Sequence, residues 1–212
     1  MNDNILKPYD DCPGARLKYW EEGIPRGPWY VYLFPTNRCN LKCTICWQRS
    51  VDIDYSAEMS DDRLLALVDE CAELGAREWA IVGGGEPMLR DDLIIRLCER
   101  IREHGMNGRV HTNGTRFKLE HFARLIDIGW HAVAFSVDGA TEEINDTIRS
   151  RGSFEKATQN MRAMAAMRRE RGVQHPLLIL SAVVTHQNID TLHQYVTLGH
   201  DLGCDVVTGG HL

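Results

Sequence analysis

The sequence predicts an α/β protein with a parallel sheet, closed as a partial, TIM-like (β/α)6 barrel. Two observations carry this. Short apolar, β-branched runs alternate with amphipathic helical patterns along most of the chain, and such alternation specifies a parallel sheet. In addition, a polar or glycine-rich segment follows each strand candidate. In order these are Thr36–Trp47, Gly83–Pro87, His111–Gly114, Ser136–Gly139, Val184–Asn188 and Thr208–Gly210. An open doubly wound sheet gathers its ligand at one switch point. A site supplied by six strand ends suits a barrel, whose C-terminal loops ring the site.

Residues 1–28 read as an irregular, partly helical lead-in, and residues 29–212 as the barrel. "WYVYLF" (Trp29–Phe34) is the first strand. The helix after it opens at Ser60, a good N-cap, with Asp61 and Asp62 at its positive end, and stops at Gly75. "EWAIVG" is the second strand, followed by a helix from "RDDL" to Gly105. "GRVHTNG" is the third strand, and its helix ends at Gly129. "HAVAFSVDG" is the fourth. A long helix from about Phe154 to Arg171 follows, with Ser153 as cap and Gly172 as stop. "LLILSAVVT", the helix "IDTLHQYVTLGHDLG" and the strand "CDVVTG" complete six strands and five crossovers.

A chain of 212 residues with 43% hydrophobic content suits one core. A net charge of −6 disfavours nucleic acid as a partner. No apolar run approaches the roughly 20 residues of a membrane span. The N-terminal stretch lacks the pattern of a secretion signal. Seven cysteines, an odd number with three crowded together, do not form a secreted disulfide framework. A cytoplasmic protein without membrane contact is therefore expected.

The three crowded thiols are Cys39, Cys43 and Cys46, at C-x3-C-x2-C spacing. Thiolates bind soft metals. A structural zinc or an ordinary iron–sulfur cluster takes four protein ligands, and the neighbouring sequence offers no fourth Cys or His. Three thiolates on a 4Fe-4S cluster leave one iron open for a small molecule. Plain packing and a zinc completed by a distant residue are the competing readings, and a polar loop is a poor place to pack thiols. Cys71 and Cys98 fall on the apolar stripes of their helices. Cys204 is expected to open the last strand, at the end of the barrel away from the site, and Cys12 stands alone.

C-x3-C-x2-C after the first strand, with a GGEP loop after the second, resembles the radical S-adenosylmethionine (radical SAM) superfamily over about residues 30 to 210. The stretch "NDTIRSRGSFEKATQNM" is similar to the segment found in members of the SPASM and molybdenum-cofactor type. The resemblance implies a 4Fe-4S cluster on Cys39, Cys43 and Cys46, with SAM chelating the open iron. Reductive cleavage of SAM would give a 5′-deoxyadenosyl radical that takes hydrogen from a substrate, of which a peptide or cofactor precursor is the favoured class. A one-electron donor such as flavodoxin or ferredoxin is the implied partner. Gly83, Gly84 and Gly85 would let backbone approach SAM, and Glu86 would accept from its ammonium. Thr112 and Asn113 would touch SAM or substrate. Ser136 and Asp138 match positions that meet the ribose or the methionine carboxylate, and Arg149 matches a carboxylate contact. Thr185 and Thr208–Gly210 are candidates for adenine. His111 is read as a structural histidine.

Two features depart from the family pattern. The residue before the third cysteine, often aromatic there, is Ile45, and Trp47 follows. The sequence ends at Leu212, directly after strand six, where similar proteins continue into a helix and a cysteine-rich domain. The expectation is a truncated sequence, or a partner covering the last strand's edge. A metal-binding module without radical chemistry and a SAM-binding remnant are the alternative functions.

Overall fold

The structure is a computed structural model that describes residues 12–24 and 27–211. Part of the lead-in, residues 1–11, 25 and 26, lies outside the described residues, as does Leu212. Helix α1 (Pro13–Glu21) precedes the sheet. The strands are β1 (Tyr30–Leu33), β2 (Glu78–Ile81), β3 (Asn107–Thr112), β4 (Ala132–Ser136), β5 (Leu177–Val184) and β6 (Val206–His211). The crossovers contain α2 (Asp61–Glu73), α3 (Asp91–Glu103), α4 (Leu119–Asp127), α5 (Glu142–Ile148) with α6 (Ser153–Glu170), and α7 (Leu192–Asp201).

All six strands are parallel and lie in sequence order, β1-β2-β3-β4-β5-β6. This order decides between the two closures. A doubly wound sheet reverses its strand order part-way. Here each right-handed crossover steps in the same direction, so every helix lands on one face and the sheet curls around the other. Strands β1 and β6 do not pair, so the barrel is open.

The core fills the layer between sheet and helices. Trp79, Trp130, Phe122 and Phe135 are fully buried there. Helix α2 contributes Leu64, Val68 and Cys71, and α3 contributes Leu93, Ile94, Leu97, Cys98 and Ile101, spaced for one face. Cys71 and Cys98 are therefore core residues, as their spacing predicts. Along β3, Val110 and Thr112 are buried while Asn107, Arg109 and His111 are half-buried. The concave face of the sheet is thus partly polar, and alternation replaces the unbroken apolar run of a sheet covered on both faces.

The stops behave as read. Gly75, Gly105, Gly129 and Gly172 follow their helices at φ of 82°, 69°, 63° and 64°, where a side chain is disfavoured. Ser60 caps α2, accepting from the Arg63 amide at 3.3 Å. Two expectations need correction. Ser153 is the first residue of α6 and not its cap. The capping carboxylate comes from Asp146 of α5, which accepts from the Gly152 and Phe154 amides. Cys204 lies in the turn before β6, its amide bonded to Gly199 O at 3.0 Å. Asp205 beside it engages Arg168 and the Leu178 amide, which delays the strand to Val206.

Candidate active site

The loop after β1 carries the three thiols and is anchored on three sides. Toward β2, the Gly85 amide donates to Thr36 O at 2.9 Å and the Glu86 amide to Arg38 O at 2.8 Å. Toward β3, Asn40 Nδ2 donates to Thr115 Oγ1 at 2.8 Å, and Asn113 Nδ2 to Asn40 Oδ1 at 3.0 Å. Toward α5, the Thr44 amide donates to Ile148 O at 2.7 Å and the Lys42 amide to Ser150 Oγ at 3.1 Å.

These anchors bring the thiols onto one cavity of about 260 Å³ at the C-terminal end of the sheet. Its wall holds Cys39, Cys43, Cys46, Gly83, Gly84, Gly85, Glu86, Thr112, Asn113, Ser136 and Arg149, with Leu41, Val82, Pro87 and His111. Residues from the loops after β1 and β2, the ends of β3 and β4 and the C-cap of α5 therefore meet at one place. Asp138, Thr185 and Thr208–Gly210 are absent from the wall.

Asp138 is fully buried behind Arg149. Its Oδ1 accepts from the Val183 amide at 2.8 Å, and its Oδ2 lies 2.7 Å from Arg149 Nε. The approach meets no hydrogen-bond criterion, so charge more than an aligned bond holds the pair. In place of the ligand contact expected from the sequence, Asp138 fixes the arginine that does face the cavity. Arg149 is the C-cap of α5, and its amide donates to Asn145 O at 2.8 Å, so the end of that helix positions it.

Glu86 is buried and accepts three hydrogen bonds. Thr112 Oγ1 donates to Oε1 at 2.6 Å, the Met88 amide to Oε1 at 3.0 Å, and the Asn113 amide to Oε2 at 2.7 Å. Burial pushes its pKa up, and these donors and Arg149 act in the opposite direction. One carboxylate thus ties the end of β2 to the end of β3. Lone pairs remain on it for a further donor.

The glycines have a reason that the sequence did not supply. A Cβ on Gly84 would overlap Asn37, and one on Gly85 would overlap the Arg38 carbonyl. They let the two loops close on each other, which is a constraint within the protein ahead of any ligand.

His111 faces the cavity, where burial first and Arg109 second lower its pKa to about 4. It is a neutral imidazole on the wall at neutral pH. The alternation of β3 was the signal for it, since His111 shares a face with Asn107 and Arg109. Burial raises the thiol pKa of Cys39 and Cys43, and Arg149 opposes this at both.

The donor set suits a soft metal group with an open side. Among the described residues, no three His, Cys, Asp or Glu side chains lie close enough to hold one metal ion. Three thiols that line one cavity without converging on a point fit a group wider than a single zinc. A larger groove of about 750 Å³ lies at the other end of the sheet, beside Arg168 and Asp205. It contains no thiol, and its Arg168 is committed to Asp205 and to Gln174 O and Pro176 O. Among the described residues, no helix is long and apolar enough to cross a membrane.

The chain resembles Fe-coproporphyrin III synthase of Methanosarcina barkeri, at 37% identity over 150 residues, 70% of this chain and 36% of that protein. It resembles mycofactocin maturase MftC of Mycobacterium tuberculosis at 33% identity, over 79% of this chain and 41% of the relative. It thus spans less than half the length of these curated relatives. Streptococcus suis SuiB bound to precursor peptide SuiA superposes with a TM-score of 0.76 at 16% identity, covering 100% of this chain and 46% of SuiB. At that identity the likeness concerns the fold, the open parallel barrel described above. The family model for the radical SAM superfamily matches residues 33–198. That match begins on the last residue of β1, takes in the cysteine loop and every wall residue of the cavity, and ends within α7, so the chain belongs to the radical SAM superfamily.

Proposed function

We propose that residues 29–212 form the catalytic barrel of a cytoplasmic radical SAM enzyme, with residues 1–28 as its lead-in. Cys39, Cys43 and Cys46 hold a 4Fe-4S cluster in this reading. The observation that carries it is a single cavity walled by three thiols on one side and by the Gly83–Glu86 loop, Ser136 and Arg149 on the other. When bound, such a cluster would supply the electron for reductive cleavage of SAM, and the resulting 5′-deoxyadenosyl radical would take hydrogen from the substrate.

The protein's own part is positioning. Glu86 accepts from the SAM ammonium through the lone pairs its three internal donors leave free. Arg149, braced by Asp138, faces the methionine carboxylate. Ser136 offers a hydroxyl that no described residue hydrogen-bonds. Thr112 and Asn113 act mainly through Glu86 and the cysteine loop, because their polar groups are already engaged. The favoured substrate is a peptide or a cofactor precursor. This is supported by relatives named for coproporphyrin, mycofactocin and pre-heme d1, and by the peptide in the SuiB complex. A flavodoxin or ferredoxin supplies the electron.

Anaerobic reconstitution with iron and sulfide, followed by SAM and dithionite, tests the reading. The expected result is about four irons per chain, one electron paramagnetic resonance signal that SAM alters, and 5′-deoxyadenosine. A protein that takes up no iron, or a loaded one that forms no 5′-deoxyadenosine, refutes it.

A further inference from the structure

The concave face of the sheet carries a charge that the thiol-walled cavity does not use. Arg109 lies on β3, two residues before His111. It therefore shares the face of His111, one row or about 7 Å further from the cysteine loop. Its register partners are Ala80 on β2 and Ala132 on β4, and the β4 partner of His111 is Ala134. These alanines are buried, yet they stand outside the core between sheet and helices, which takes Trp79, Ile81, Val133 and Phe135 from the same strands. A closed barrel fills its interior with layers of bulky side chains. Here small residues on both sides leave the interior open around Arg109.

Arg109 is half-buried, and its Nε, out of reach of solvent, has no hydrogen-bond partner. Among the described residues, no carboxylate lies within ion-pair distance of it. The neighbours it does have carry no negative charge. The Tyr30 ring centre is 5.9 Å from the guanidinium carbon, and burial raises that phenol's pKa, with Arg109 opposing. His111, whose pKa Arg109 helps to lower, is neutral. The acid on this face, Glu78, pairs in register with Asn107, one row further down. Two other half-buried arginines with an unbonded Nε have partners elsewhere. Arg102 Nη1 donates to Met106 O and Asn107 Oδ1, and Arg149 faces Asp138. A half-buried cation without a counter-charge is costly and holds nothing together. Its Nε–H and the adjacent Nη–H form the fork that takes a carboxylate side-on.

We propose that Arg109 binds a carboxylate of the substrate inside the barrel and so restricts the enzyme to substrates that carry one. The inference rests on the reading above, in which the substrate's reacting carbon enters the cavity walled by the thiols. His111 links the two places, since it lines that cavity and stands one row above Arg109. A molecule that passes His111 spans from the cavity to the guanidinium, with its carboxylate about 7 Å below the cavity wall. A carboxylate suits the site better than a phosphate. Arg109 is the one Lys or Arg in the six strands, so it balances one negative charge, and Glu78, the one acid there, would repel a second. The alanines beside Arg109 admit a flat or unbranched group. Tyr32, the register partner of Ala80 and 61% exposed, offers that group an aromatic surface.

Fluorine NMR titration of the full chain with 4-fluorobenzoate, and with 4-fluorobenzamide as its uncharged counterpart, tests this. Wild type should bind the acid at least about tenfold more tightly than the amide, as a charge-assisted pair requires. Arg109→Met should bind the acid at least about tenfold more weakly, and the amide within about twofold of wild type. Arg109→Lys, which keeps the charge and loses the fork, should fall between the two. If Arg109→Met misfolds, the comparison of acid with amide on wild type and Arg109→Lys still decides. After reconstitution and reduction with dithionite, the paramagnetic cluster should broaden the fluorine signal of the acid in wild type, which locates the bound acid in the barrel. Equal affinity for acid and amide, an Arg109→Met affinity equal to wild type, or binding of the acid without broadening in the loaded, reduced chain each overturns the proposal. Failure of wild type to take up iron would sink the catalytic reading instead, and the titrations on the iron-free chain would still decide the role of Arg109.

Discussion

Replacing Asp138 by asparagine removes a negative charge from a place that solvent does not reach. Its partner Arg149, with side-chain exposure of 12%, then keeps a cation beside an uncharged amide. Removing one member of a buried pair costs about 3–5 kcal/mol. The residual exposure of Arg149 lets water recover part of that, and asparagine can still accept from the Val183 amide. The expected loss is therefore about 2–3 kcal/mol. For a chain of this length each kcal/mol lowers the melting temperature by about 2–4 °C, so Asp138→Asn should melt about 5–10 °C below wild type. Alanine, which also orphans the Val183 amide, should cost about 1 kcal/mol more. Calorimetry at pH 7 on Asp138→Asn, Arg149→Met and the double variant reads the coupling. An Asp138→Asn protein melting within about 2 °C of wild type, or strict additivity with Arg149→Met, would show that the pair does not brace the wall.

Three other outcomes follow from the same geometry. Cys43→Ala, reconstituted anaerobically, should lose its brown absorbance and most of its iron, because two thiols remain for a cluster already one protein ligand short; wild-type iron content would refute the ligand set. Gly85→Ala should destabilise the fold by about 2 kcal/mol or more and lower iron retention, since its Cβ overlaps the Arg38 carbonyl; melting curves and iron assays check both. His111, with its pKa lowered to about 4 by burial, binds protons more weakly folded than unfolded. The folded state therefore loses stability as pH falls from about 6.5 toward 4, by about 2 kcal/mol between pH 7.5 and 5. Urea unfolding at both pH values should show a smaller decline in His111→Gln, and an identical decline would exclude His111 as a source.

The alternation of runs was enough to place six strands and their crossovers, because each βα unit satisfies its own pattern before meeting its neighbours. The barrel, against the doubly wound sheet, followed from where the polar segments fell. What sequence could not supply was direction within the site. "SVDG" places Ser136 and Asp138 two residues apart, yet Ser136 lies on the wall and Asp138 behind it, because the chain has left the strand between them. "GGGEP" reads as a ligand loop, but the need for Gly84 and Gly85 comes from Asn37 and Arg38, on a loop more than 40 residues earlier. The α6 cap failed for a similar reason. Ser153 is a good cap by type, and a carboxylate from the preceding helix took the position. Each miss is a contact between segments distant in sequence or in separate elements, which periodicity does not register.

The cysteine loop's anchor to residues 148 and 150 also sets an order of events during synthesis. Thr44 waits for Ile148 and Lys42 for Ser150, partners 104 and 108 positions later. At translation rates of about 5–20 residues per second, the thiols exist for roughly 5–20 seconds before the wall that shelters them has been made. During that interval Cys39, Cys43 and Cys46 belong to an unfinished surface, open to oxidants and to stray metals. A loop held in this way reaches its final shape only once residues 148 and 150 are in place, so its geometry depends on a segment made long after it.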